Sequence, residues 1–555
     1  MSFRSNFTPG TTRWAVRRAQ WIAMGIDEAD FDKPKIAVVN SSSGLSVCFQ
    51  HLDAVAETVK KAIRDAGGLP FEIRTVAPSD FVTSAGKQGR YLMPSRDLLV
   101  NDIEVQVEGA ELDGMILLSS CDKTTPAHLM AAGRLNVPAI ILPCGFQLGS
   151  NCGGRENDIE EVYKAVGAVK AKKMTLCELK EMTRSAINGP GVCAGLATAN
   201  SMHCMAEALG MALPGNAPIR AGSAELDTYA RKSGARIVAL VEQDIRPRSI
   251  LTPAAFRNAV RVATSIGCSV NVVRHLTATA AEAECDVDIL AEFAAAVELP
   301  QITQIRPNGP DRIEQFAAAG GVSGAMAMLL PTLDGSVRTV SGATLTENLA
   351  ARPAPDPQII RPLDAPFRKE PGLVIVRGNL APDGSVVKLS AVPPSVRRFR
   401  GQAIVFENEA DAIDAIESGQ VGAGKVVILR MLGPKGGPGT VFAASFMAAL
   451  VGAGLGADVA VVTDGELSGL NSGITIGQIM PEAAERGPLA AVEDADMIAI
   501  DLEARTITLE ISNDELAARI DALPQRPRTS ERGWLAMYQK LVQPLSKGAI
   551  LRVDE

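Results

Sequence analysis

Apolar and polar positions change rhythm twice along the chain. The opening stretch sets short apolar runs between amphipathic segments. KIAVVN (35–40) is a nearly continuous apolar run and predicts a buried strand. HLDAVAETVKKAIRDAGG (51–68) repeats its apolar residues every three or four positions and closes on Gly-Gly, which predicts a helix. FEIRTVAP (71–78), LDGMILLSS (112–120) and PAIILPCG (138–145) predict three more strands. RDLLVNDIEVQVEG (96–109) and PAHLMAAGRLN (126–136) predict helices between them. Such alternation predicts a parallel sheet covered on both faces, with ligands gathering at the carboxyl ends of its strands. Cys48 and Cys121 each come soon after a predicted strand.

From about 155 to 330 the rhythm is helical: ENDIEEVYKAVGAVKAKK, ANSMHCMAEALGMAL, TPAAFRNAVRVATSIG and DVDILAEFAAAV. The stretch 330–372 is proline-rich with little periodicity and reads as a linker. Beyond it come short β runs: GLVIVRG, SVVKLS, AIVFEN, KVVILRM, ADVAVVT and MIAIDLEARTITLEI. Many short strands with turns between them predict a β-barrel or sandwich. The chain therefore divides into an α/β domain of 1–365 and a β-rich domain of 370–555.

Composition narrows the function. The 555 residues hold 55 basic and 63 acidic side chains, a net charge of −8, which argues against nucleic-acid binding. Aromatics are only 4%, too few for base-stacking platforms. No apolar run reaches the roughly 18 residues of a membrane span. The basic N-terminus lacks an apolar core and a small-residue cleavage site, so it does not read as a secretory signal. A transit peptide would look similar; cytoplasm is the expectation. All nine cysteines fall within residues 48–285, so any cysteine chemistry belongs to the N-terminal half. An odd count in a long chain argues against a disulfide scaffold.

Four segments set reactive residues among small ones: Asn40–Cys48, Ser119–Pro126, Gly189–Asn200 and Thr463–Gly469. Cysteines in Gly/Ser-rich turns at strand ends are well placed to ligate a cofactor, because the backbone can approach it closely. Cys48, Cys121 and Cys193 suggest a metal centre, although their spacing matches no zinc ribbon or ferredoxin. Cys177, Cys204 and Cys285 sit in helical stretches and read as core residues; Cys144 and Cys152, with seven residues between them, are either core packing, the favoured reading, or a second pair. Asp122-Lys123 is either a surface pair or a buried base, and a buried lysine of this kind can form a carbamate with CO2. The runs GPKGGPG (433–439) and TDGELSG (463–469) are either plain turns or backbone N–H donors for an anionic substrate.

Together these segments resemble the dihydroxy-acid dehydratase / 6-phosphogluconate dehydratase family. The similarity runs nearly the whole chain, from GTTRWAVRRAQWIAMGIDEADFDKPKIAVVNSSS to TDGELSG and GQIMPEAAERGPLA. Cys121-Asp-Lys-x-x-Pro and the Cys193 segment are its most specific motifs. Length and Ser79-Asp80 are closest to the dihydroxy-acid branch. The resemblance implies an α/β N-terminal domain with a parallel sheet covered by helices, plus a C-terminal β-barrel-like (swivelling) domain. It implies an iron–sulfur dehydratase that converts a small 2,3-dihydroxy carboxylate into a 2-keto acid. Cys48, Cys121 and Cys193 match the cluster ligands, of a [2Fe–2S] cluster by preference or a [4Fe–4S] one. Asp80, Asp122 and Lys123, the last as its carbamate, match Mg²⁺ ligands, and Ser468 matches the general base. Cluster and base then come from different domains, which implies an interdomain site. The implied partners are a hydroxy-acid substrate and a second or further copies of the chain, as homodimer or homotetramer, with no nucleic acid and no membrane.

The chain departs from the family at the pocket. The family reads Gly-Pro-Gly-x-x-Glu, with that Glu on Mg²⁺; here Gly437-Pro438-Gly439 leads to Phe442. The family reads Asp-Gly-Arg-x-Ser-Gly; here the Arg is Glu466. Met431-Leu432 replaces a Tyr-Glu, and Val270 replaces a Thr. One carboxylate is lost and another gained, so Glu466 is expected either to take part in the metal site, to contact a cationic substrate group, or to be a solvated turn residue. These changes open two alternatives: a sugar-acid or substituted-acid dehydratase, and a cluster-binding paralogue without catalysis.

Overall fold

The computed structural model describes residues 3–83, 86–307, 309–441, 443–467, 473–524 and 532–553. Its N-terminal sheet has four parallel strands, β1 (Lys35–Asn40), β2 (Leu69–Arg74), β3 (Gly114–Ser119) and β4 (Ala139–Pro143), in the order β2-β1-β3-β4. Every residue of β1, β3 and β4 is buried. Helices cover both faces, which is why these strands read as unbroken apolar runs instead of alternating. Leu52–Asp65 packs on one face with Ala224–Glu242, where Gly234 lets the two helices close. Leu92–Gly109 and Thr124–Leu135 pack together elsewhere on the sheet. A small antiparallel ribbon, β5 (Ser150–Cys152) and β6 (Arg155–Asn157), follows the sheet.

The C-terminal domain closes eight strands into a barrel. They are β7 (Val374–Gly378), β8 (Ala381–Val387), β9 (Arg398–Phe406), β10 (Lys425–Leu429), β11 (Ala460–Thr463), β12 (Thr475–Met480), β13 (Met497–Asp501) and β14 (Thr506–Leu509). Their order around the barrel is β10-β11-β12-β8-β7-β14-β13-β9. Closure removes the exposed strand edges that an open sheet would present. β12 was not among the strands expected from the apolar pattern. TIGQIM is buried throughout but carries Gly477 and Gln478, which interrupt the apolar run.

The proline-rich stretch expected to be a linker is packed in part. It contains the helix Leu345–Ala350, and Leu345, Leu349 and Ile360 are buried. The two domains touch most intimately where helix Ile159–Lys170 meets helix Ala444–Ala453. A Cβ on Gly167 would lie 2.1 Å from the Ala448 carbonyl oxygen, and one on Gly452 would lie 2.3 Å from the backbone of Gly167. Only glycine permits this approach. Among the described residues, no helix is long and apolar enough to cross a membrane.

Candidate functional site

Three connections at the carboxyl end of the sheet bring the expected cysteines together. After β1 the chain makes a short 3₁₀ turn, Val47–Phe49, capped by Ser46, whose Oγ accepts from the Cys48 amide at 3.3 Å. After β3, Cys121 adopts a left-handed backbone, φ +41°. A non-glycine residue rarely sits there, and such conformations collect at functional sites. The Ser120 hydroxyl ties the two turns by donating to the Cys48 carbonyl at 2.7 Å. Cys193 lies in the loop before helix Thr198–Ala208, and Asn200 Nδ2 donates to the carbonyls of Cys193 and Gly195, both at 2.8 Å.

The three thiols line one cavity of about 60 Å³ with Asp80, Asp122, Glu160, Tyr163 and Asn200. Cys121 Sγ donates to Asp80 Oδ1 at 3.2 Å, and Cys48 is a further hydrogen-bond partner of Cys121. One ligand atom from each of Asp80, Cys121 and Asp122 lies within 4.8 Å of the others. Burial pushes the Cys121 thiol well up, and Cys48, Asp80 and Asp122 push it further. Burial likewise raises Cys193, with Asp80 and Cys48 adding to it. These thiols therefore resist ionising unless a cation joins them, and a metal reverses that preference.

Beside the cavity lies a buried charge cluster that spans the domains. Lys123 precedes helix Thr124–Leu135 and is fully buried. Its Nζ donates to Asp122 Oδ2 at 2.8 Å and, across the domain boundary, to Glu466 Oε1 at 2.9 Å. Arg274, from helix Asn271–Glu282, approaches Glu466 Oε2 at 3.9 Å, and its Nη1 is 3.4 Å from Thr440 Oγ1. Burial would lower the Lys123 ammonium, but Asp122 and Glu466 outweigh it, and the net shift is upward. Burial would raise Glu466, but Lys123 and Arg274 hold it below the usual carboxylate value. Asp122 is pushed up to about 7, chiefly by burial and then by Asp80 and Glu466, against the pull of Lys123. The cluster is incomplete: Asp122 Oδ1, Glu466 Oε2 and Arg274 Nε and Nη2 are buried without a hydrogen-bond partner.

The structure thus gathers Cys48, Cys121, Cys193, Asp80 and Asp122 around one cavity, with Lys123 and Glu466 adjoining. Glu466 is fully buried on Lys123, not a solvated turn residue. Ser468 and Phe442 lie outside the described residues. Next to Ser468, the Leu467 carbonyl accepts from Asn271 Nδ2 at 3.3 Å, again across the domains. Four of the five backbone N–H groups in the glycine run 433–439 are taken up within the protein and are not held free for an anion. The N–H groups of Lys435 and Gly436 donate to Glu482, and those of Gly437 and Gly439 donate within the loop. Cys177, expected in the core, is exposed near the start of helix Leu176–Ser185, where the amphipathic pattern leaves it on the solvent side.

Sequence reading missed Glu160 and Arg274. Glu160 stands in an acidic first helical turn that looks solvated, and only the fold reveals that it faces inward. Arg274 did carry a signal, as a charge within the apolar run VNVVRHL.

Fold and site define a class: a two-domain enzyme whose candidate centre, rich in thiols and carboxylates, lies where a parallel α/β domain meets a β-barrel domain. The chain matches the dihydroxy-acid/6-phosphogluconate dehydratase N-terminal model over residues 33–348 and the corresponding C-terminal model over 358–549. It is 41% identical over 539 residues to a dihydroxy-acid dehydratase of Caldicellulosiruptor bescii, covering 97% of this chain and 98% of that one. A dihydroxy-acid dehydratase of Syntrophobacter fumaroxidans is 40% identical over 554 residues, the full length of both chains. Dihydroxy-acid dehydratase 1 of Methanosarcina acetivorans is 39% identical over 541 residues, 97% of this chain and 98% of that one. The chain belongs to the dihydroxy-acid/6-phosphogluconate dehydratase family and is a dehydratase, a hydro-lyase.

Proposed function

We propose that this chain removes water from a small 2,3-dihydroxy carboxylate to give a 2-keto acid, using an iron–sulfur cluster and Mg²⁺. The observation that carries this reading is the convergence of three thiols, two of them buried and Cys193 half-buried, and two carboxylates on one cavity at the domain junction. Cys48, Cys121 and Cys193 would hold the cluster, [2Fe–2S] by preference. Asp80, Asp122, Lys123 and Glu466 would hold Mg²⁺, and the unpartnered Asp122 Oδ1 is an acceptor such a cation would satisfy. Lys123 would join this set as its carbamate, with CO2 added at its Nζ and a proton released; that anion beside Asp122 and Glu466 would need a divalent cation among them. When bound, the cluster supplies a Lewis acid for the departing 3-hydroxyl, and Mg²⁺ stabilises negative charge at the carboxylate end.

The protein's own groups do the rest. Ser468 takes the proton from C2. A serine hydroxyl is too weak an acid for this unless nearby positive charge stabilises its alkoxide. Arg274, buried beside Glu466 with two unpaired nitrogens, is a source of such charge. Glu466 occupies the side of Lys123 that faces the barrel and replaces the carboxylate lost at Phe442. That favours a working site over a paralogue without catalysis. The same reading makes the protein a cytoplasmic homodimer or homotetramer; helix Thr12–Ala23, with no residue buried in the single chain, is suited to an interface.

The test is 2-keto-acid formation by anaerobically purified protein, with iron and sulfide quantified in the same sample. The panel is 2,3-dihydroxyisovalerate and several aldonates, with and without Mg²⁺. Mg²⁺-dependent turnover of any member is the expected result. A full cluster with no turnover across the panel overturns the reading.

A further inference from the structure

The cavity holds acceptor oxygens that the metal reading does not use. Besides Asp122 Oδ1, two buried oxygens of lining residues lack a partner: Glu160 Oε2 and Asn200 Oδ1. The two residues are 6% and 1% exposed. Asn200 spends its amide nitrogen on the carbonyls of Cys193 and Gly195, which fixes the orientation of the group and leaves its oxygen as an acceptor.

Glu160 is seated against the same glycine: a Cβ on Gly195 would lie 2.8 Å from Glu160 Oε1. The missing side chain at 195 is what admits the carboxylate. Among the described residues no cation forms an ion pair with it, although the buried Lys388 is near enough to act on its charge. Arg306 pairs with Glu156, Asp158 and Glu161 instead, and Lys164 pairs with Glu161. A buried acceptor left unmade is costly, and a cavity lined by two residues that each keep one is built for a ligand that brings donors. An alkyl group brings none.

We propose that Glu160 and Asn200, gathered about Gly195, form a hydroxyl-accepting subsite, so that the acid this enzyme takes carries hydroxyl groups beyond its 2,3-diol. The substrate class is then a polyhydroxylated carboxylate of the aldonate kind, not one with a branched alkyl tail. This rests on the dehydratase reading above and sharpens it. Hydrogen-bonding pockets reject analogues that lack the donor far more strongly than apolar pockets reject an added hydroxyl.

The test compares holoenzyme and its Glu160→Leu and Glu160→Gln variants on a five-carbon aldonate and on 2,3-dihydroxyisovalerate. It reads kcat and KM, iron content and visible spectrum, and calorimetric binding of each acid. The wild type is expected to favour the aldonate in kcat/KM by at least tenfold. Glu160→Leu should move that ratio at least tenfold toward the alkyl acid, mainly through KM, with the cluster spectrum unchanged. Glu160→Gln, which keeps an acceptor oxygen and the shape, should recover most of the preference and covers the case in which the leucine variant does not fold. A wild type that prefers the alkyl acid overturns the proposal. So does a Glu160→Leu variant that loses both acids equally, or one whose cluster spectrum changes, because Glu160 would then serve the cluster. A wild type that turns over neither acid yet binds the aldonate in a Glu160-dependent way upholds the subsite and overturns the dehydratase reading.

Discussion

Two of the buried charge clusters in this protein differ in how completely they are satisfied. The first is Arg96 with Asp97. Arg96 donates to both Asp97 oxygens at 3.1 Å and to the carbonyls of Gly548 and Ala549 at 3.1 and 2.8 Å; its Nη1 lies 3.5 Å from His275 Nδ1. Neither residue keeps an unpartnered polar side-chain atom. This cluster fastens the C-terminal segment to the N-terminal domain. The second is Asp122–Lys123–Glu466–Arg274, equally buried, yet with four polar atoms left over. Burying charge is costly in both places. Where every valence is met, the charges are part of the scaffold. Where valences remain there is room for a partner from outside the polypeptide, and that is where the cysteines are.

Damage to the complete cluster should therefore appear in stability, and damage to the incomplete one in ligand binding and turnover. The largest effect is expected at the cavity. Cys121→Ser should bring iron content close to zero and abolish turnover with the chain still folded; a variant with unchanged iron would remove Cys121 from the ligand set. Next comes Arg96→Met, which strands Asp97 in the interior. It should cost about 3–5 kcal/mol, read as a shift of the denaturation midpoint, while activity per folded molecule stays within about twofold. Loss of activity without loss of stability would erase the distinction between the two clusters.

A smaller effect is expected at Glu466→Gln. It should weaken Mg²⁺ binding about 10- to 100-fold, read with Mn²⁺ as a paramagnetic substitute. In the wild type that binding should tighten as pH rises through about 7. Asp122 is pushed up to about 7 and must give up its proton before it can ligate. Unaltered affinity in Glu466→Gln would take Glu466 out of the metal site. The smallest effect is a control on the barrel surface. Arg519 reaches Asp496 at 2.6 Å and Glu515 at 2.7 Å, and Arg519→Ala should cost no more than about 1 kcal/mol in thermal unfolding, because water screens such pairs.

The sheet was legible because its strands are buried on both faces. KIAVVN coincides with β1, and the other three runs overlap β2 to β4 with ends shifted by one to four residues. The cysteines and Asp122-Lys123 were legible because reactive residues crowd into short turns after those strands. Pattern alone failed where contacts are set at long range. β12 is held by pairing with β8 and β11, which offsets its glycine and glutamine. The first turn of helix Ile159–Lys170 reads as an acidic, solvated face, yet Glu160 points inward because the packing of that helix against the barrel domain decides which side is buried. The burial of Glu466 on Lys123 joins residues 343 positions apart, a distance no local pattern records.

The crossing of Gly167 and Gly452 has a mechanical meaning. Glu160 lies seven residues before Gly167 on the same helix, about 10 Å along its axis. Ala444, at the start of the opposing helix, lines the same cavity. The two bare backbones act as a fulcrum, and the helices are short levers whose tips reach the thiol-lined cavity. A single methyl group inserted at the fulcrum would be felt at the far ends as a change in the clearance of the chamber. The dimensions of the cavity are thus gauged at a point away from the thiols and carboxylates that line it. Evolution or an engineer could retune the size of the accepted acid there without altering a ligand.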